Sequence, residues 1–104
     1  MKPNLDYINE ISDNDTVFKN KLISIIKREF PLEKEEFLSN YNTNQYILAA
    51  QNVHKLKHKI NMFGLKKGYE IAIKFENELN DEKFDSYEDF IVILDLIDNY
   101  LNKI

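Results

Sequence analysis

His54 and His58 are the only two imidazoles in the chain, and they stand four positions apart. A neutral imidazole carries one unprotonated nitrogen, which serves as a base, a metal ligand or a nucleophile. On a helix, four-residue spacing puts both rings on one face. It is also the spacing of a helical metal site. Lys55, Lys57 and Lys59 flank the pair, no carboxylate is near in sequence and no cysteine exists, so no metal is expected. Residues 51–68 contain Lys55, Lys57, Lys59, Lys66 and Lys67 and no acid, an island of +5 in a chain of net charge −4. Such an island favours a negatively charged ligand or intermediate; the plain alternative is a solvated lysine face. No paired carboxylates, no Ser/His/Asp arrangement and no glycine-rich phosphate loop suggest an independent catalytic domain such as a hydrolase.

The element that must position these histidines runs to Phe63. Tyr46, Ala49, Val53, Leu56, Ile60 and Phe63 are spaced 3, 4, 3, 4, 3, the seam of a bundle helix. His54 lies about 100° round from Val53, and its same-face neighbours Ala50, Lys57, His58 and Asn61 include no large apolar group. Its ring is therefore expected at the surface, with the small Ala50 leaving room for approach. Gly64 is a plausible left-handed stop. A further helix follows from about Lys66 to Leu79, with Leu65, Tyr69, Ala72, Phe75 and Leu79 inward.

The same periodicity organises the rest. Residues 4–11 predict a short helix capped by Asn4, with Leu5, Ile8 and Ile11 on one face. After the Asp13-Asn14-Asp15 break, the spacing of Val17, Phe18, Leu22, Ile25, Ile26, Phe30, Phe37 and Leu38 predicts a long helix from Thr16 to about Asn40. It should kink or break at Pro31. Asn42-Thr43-Asn44 is the next break and should supply a cap. Ser86 with Asp89 resembles a capping box opening a last helix that carries Phe90, Ile93, Leu94, Ile97, Leu101 and Ile104. Four long helices with short connections, preceded by a short one, predict an all-α fold. The simplest architecture is an antiparallel up-down four-helix bundle with a short extra N-terminal helix, residues 1–104 forming one domain.

Composition agrees. The chain has 104 residues, 43% apolar and 31% charged, with only two glycines and two prolines, too few for a turn-rich β fold. The acidic balance is wrong for a general nucleic-acid binder. No apolar run is long enough to span a membrane and no secretory leader is visible, so a cytoplasmic protein without membrane or nucleic-acid partners is expected.

His54-Lys55-Leu56-Lys57, with Gly64 ten residues after the histidine, resembles the signature of histidine-containing phosphotransfer (HPt) domains. Two further echoes accompany it: the segment Leu5-Asp6-Tyr7-Ile8-Asn9-Glu10-Ile11-Ser12-Asp13, and Phe75-Glu76 at the family's fourth-helix position. The resemblance covers the whole helix order, and departs at His58, where the family usually has glycine. It implies a phosphorelay carrier rather than an enzyme. His54 would take a phosphoryl group from one receiver-domain aspartate and pass it to another in two-component signalling. Lys57 would offset the phosphoryl charge, Glu76 would orient the imidazole, and His58 would either point aside or contact the phosphoryl group. Partners would be the receiver domains of hybrid histidine kinases and response regulators. They would dock around Ile47, Ala50, Gln51, Lys55 and Asn61, with the second helix forming the other wall. No cofactor is expected in the chain itself, since Mg²⁺ belongs to the receiver. The family implies a monomer, and Met1 with the full helix set reads as a stand-alone protein. The alternative is a helical interaction protein without phosphotransfer.

Overall fold

The computed structural model describes residues 1–104, of which about 78% are helical and none lies in a strand. Five helices follow one another: α1 (Asp6–Ser12), α2 (Thr16–Asn42), α3 (Tyr46–Met62), α4 (Lys66–Asn80) and α5 (Tyr87–Leu101). Their local causes are visible in the caps. The N-cap of α1 is Leu5 rather than Asn4 and makes no side-chain bond; Asn4, one position earlier, accepts from the Asp6 amide through Oδ1 at 3.0 Å. Asp15 Oδ1 accepts from the Phe18 amide at 2.9 Å and opens α2. Gly64 follows α3 with φ of +76°, the left-handed conformation that ends a helix. A Cβ there would stand 2.6 Å from the Asn4 side chain as well.

Three further local expectations are corrected. The helix runs through Pro31 without a break. Pro31 and Lys27 are both exposed, so the Lys27 carbonyl loses its proline-blocked donor where water reaches it. Phe30 and Phe37, fully buried seven positions apart, hold both halves of the helix to the core. Ser86 makes no capping bond to its own helix. It is buried, and its amide and hydroxyl both donate to the Glu78 carboxylate, at 2.8 and 2.9 Å. The Asn42–Asn44 break supplies a left-handed residue, Asn44 (φ 62°), but no side-chain cap to α3.

The contacts fix how neighbours run. Asn40 meets Asn52 and Glu33 meets Lys59, so α2 and α3 are antiparallel. His54 meets Glu76, and Gly68 packs on Ile60, so α3 and α4 are antiparallel too. Glu78 with Ser86 and Gly68 with Ile93 give the same sense to α4 and α5. Lys34 with Asp95 and Asp98, and Lys27 with the carbonyl of Ile104, pair α5 with α2. Gly68 has no Cβ where α3, α4 and α5 approach closest; one there would stand 3.1 Å from Ile60 and 3.3 Å from Ile93.

One core unites these helices. The seam residues Ala49, Val53, Leu56, Ile60 and Phe63 are buried with Phe75, Phe90, Ile93 and Ile97. Phe37 makes edge-on contacts with Phe75 and Phe90, with centroids 5.9 and 5.2 Å away. Val17, Phe18, Ile11 and Ile104, expected inward by spacing, are exposed instead. The first three lie on the outward faces of α1 and the opening turns of α2, while Ile8 carries the inward face of α1 into the core. Ile104 follows the end of α5.

Burial raises the pKa of two tyrosines. Desolvation, then the neighbouring Tyr87 and Tyr46, push Tyr41 above its ordinary 10.0. Desolvation, then Asp6, do the same to Tyr100. At Lys34 desolvation opposes the charge, but Asp98 and Asp95 outweigh it and hold the ammonium above the usual 10.5.

Candidate functional site

The α3–α4 hairpin turns on Phe63, Gly64 and Leu65. Ten residues separate His54 from Gly64 and twelve separate Gly64 from Glu76, so the two arms return both side chains to nearly one height. Val53 and Phe75 take the buried positions beside them. That puts His54 and Glu76 about 100° round each helix, on the flank the two helices share.

There His54 Nδ1 lies 3.0 Å from Glu76 Oε2. A carboxylate can only accept, so Nδ1 carries the proton and Nε2 the lone pair in the neutral ring. Nε2 has no partner within the chain. The His54 side chain is 54% exposed, against 21% for Glu76. The other carboxylate oxygen, Glu76 Oε1, accepts from Lys57 Nζ at 3.0 Å. Lys57 is therefore mostly covered, its side chain 13% exposed, with its ammonium on the carboxylate rather than free at the surface. One carboxylate thus bridges an imidazole and an ammonium.

His58 stands beside this trio. Its ring centroid is 5.2 Å from that of His54, and the planes meet at 85°. No carboxylate of the chain pairs with it. No three His, Cys, Asp or Glu side chains come together as a metal site.

A surface concavity of about 380 Å³ adjoins His54. Ile47, Ala50, Gln51 and Lys55 line it with His54, Glu76 and Asn80. Asn61 is exposed but lies outside it. The second wall of this concavity is α4, and α2 meets α3 on the flank of Asn52 and Lys59. Asn80 was not foreseen; its signal is the four-residue spacing from Glu76, which sets both on one face of α4.

The basic island is also smaller in space than in sequence. Lys59 sits 2.8 Å from Glu33 and 3.2 Å from Glu29, both on α2. With Lys57 on Glu76, the island's lysines outside any ion pair are Lys55, Lys66 and Lys67.

Chemically the arrangement offers a nucleophilic nitrogen in solvent, a fixed tautomer and a concave approach. No helix is long and apolar enough to cross a membrane. No family model, curated protein or solved structure matches the chain.

Proposed function

We propose that the chain is a phosphorelay carrier of the histidine-containing phosphotransfer kind, with His54 as phosphoacceptor. In this reading α2 to α5 form an antiparallel up-down four-helix bundle and α1 is the short extra helix. The observation that carries the proposal is the His54–Glu76 bond of 3.0 Å on an exposed imidazole. It leaves Nε2 as the free, unprotonated nitrogen.

The reaction balances without a proton transfer. The Nε2 lone pair attacks the phosphorus of a receiver's aspartyl phosphate and forms the N–P bond. The P–O bond breaks, and the aspartate carboxylate leaves with its electron pair. The Nδ1 proton stays on the ring, and Glu76 balances the positive charge that the ring acquires. Reversal delivers the phosphoryl group to a second receiver aspartate. Lys57 holds the Glu76 carboxylate and adds positive charge near the phosphoryl group. The concavity lined by Ile47, Ala50, Gln51 and Lys55 receives part of the receiver surface. Mg²⁺ belongs to the receiver's half of the site.

The test is incubation with a phosphorylated receiver domain. Acid-labile, base-stable label is expected on the wild-type chain. His54→Gln should remove it while leaving the helical spectrum unchanged, because the side chain is exposed and off the buried seam. His58→Gln should keep at least part of it. Label that survives His54→Gln and vanishes in His58→Gln would assign the wrong nucleophile.

A further inference from the structure

The Lys57 ammonium is drawn onto Glu76, so it is not free to reach a phosphoryl group on the far nitrogen of His54. Lys55 is one position on from His54, about 100° round the helix. Two unpaired donors flank His54 on its own face, Gln51 on the concavity side and His58 one turn on, and only His58 presents a ring N–H against the imidazole. Its ring stands edge-on to His54 with centroids 5.2 Å apart. A phosphoryl oxygen lies one P–O bond beyond the new N–P bond, a reach comparable with the spacing of the two rings. An N–H of His58 then needs only an ordinary hydrogen-bond distance of about 2.7–3.2 Å.

We propose that His58 is a phosphoryl-binding residue, donating a ring N–H to the group carried on His54 and prolonging the life of the phosphohistidine. The inference rests on His54 being the phosphoacceptor. The charged groups around His58 agree with it. His54, Lys55 and Lys57 share its helix, and the one carboxylate facing this cluster, Glu76 on α4, is already held by His54 and Lys57. A dianionic phosphoryl group is thus the acceptor that His58 lacks. Hydrolysis needs water to attack phosphorus while the N–P bond breaks and its electrons return to Nε2. A donor on the phosphoryl oxygens of the bound state holds that group back. The chain then acts as a short-term store as well as a conduit.

The experiment uses the full chain, phosphorylated with phosphoramidate so that no receiver is needed. Loss of phosphohistidine is followed by phosphorus NMR in the wild type and in three variants. His58→Phe keeps a ring without a donor, His58→Gly removes the ring, and His58→Arg restores a cationic donor. Loss should be about 10- to 100-fold faster in the Phe and Gly variants, the worth of one charge-assisted hydrogen bond, and near wild type with Arg. The phosphorus resonance should shift in His58→Phe. Equal lifetimes in all four chains, with the label on His54, would overturn the role of His58 and leave the carrier reading standing. Label from phosphoramidate but none from a phosphorylated receiver would overturn the carrier reading, while the lifetimes still decide His58. Label on His58 itself would overturn both.

Discussion

Glu76 and Glu78 stand two positions apart on α4, about 200° round the helix, and do opposite things. Glu78 is buried, and its carboxylate accepts from the amide and hydroxyl of one residue, Ser86, at the start of α5. Both donors are neutral and neither leaves the protein. Glu76 is partly exposed and accepts from two groups that carry or acquire positive charge, His54 and Lys57, one of which opens onto solvent. The same side chain on the same helix is a clamp where its donors are buried and a responsive partner where one of them can change charge. Residue type says little; the donor and its access to water say the rest.

The comparison breaks most visibly at Glu78. Glu78→Ala strands two buried donors and should cost about 2–3 kcal/mol of stability. Urea unfolding measures it, and transfer to His54 in the folded fraction should be unchanged. A loss under about 0.5 kcal/mol would mean that water replaces the carboxylate there and the clamp is no clamp. The mirror experiment, Glu76→Ala, should slow transfer from a phosphorylated receiver about tenfold, or about 1.4 kcal/mol. Its stability should change by less than about 1 kcal/mol, since the pairs it loses are partly solvated. Nitrogen NMR of His54 should show the Nδ1–H tautomer losing its dominance. An unchanged tautomer together with an unchanged rate would reduce Glu76 to a surface charge.

The smallest effect at neutral pH is the alkaline one. Folding raises the pKa of Tyr41, Tyr100 and Lys34. The unfolded chain therefore sheds these protons first as pH passes 10.0 for the tyrosines and 10.5 for the lysine, and stability falls until the folded groups ionise as well. Wild type and Glu76→Ala should lose stability in parallel above pH 10, a comparison that denaturant titrations across pH can make; divergence would tie the site to the alkaline transition.

Much of this was legible in the sequence for a physical reason: hairpin arithmetic and helical angles are local. The flank position of His54, the height of Glu76 and the left-handed Gly64 need only residue counts and rotations. What was not legible depends on other helices. Val17 and Phe18 match the inward period of α2, but only the packing of the other helices shows that they are left exposed. Ser86 has an acid three positions on, yet a buried carboxylate on α4 outcompetes it. Lys57 and Lys59 read as a free basic face until Glu76, Glu29 and Glu33 arrive from α4 and α2. Pro31 reads as a kink or a break, and with Phe30 and Phe37 buried on either side the helix does not break there.

The tie between Asn4 and the hairpin turn has a topological consequence. The Asn4 amide donates to the Phe63 carbonyl at 2.9 Å, joining positions 59 apart, whereas His54 and Glu76 are 22 apart. Chain closure over the shorter span loses about 1 kcal/mol less conformational entropy. The pair on which the proposed chemistry depends thus belongs to a contact that a lone α3–α4 hairpin brings together, ahead of the N-terminal seal. When the molecule opens and recloses, the imidazole and its carboxylate meet early, and the strap over the turn follows.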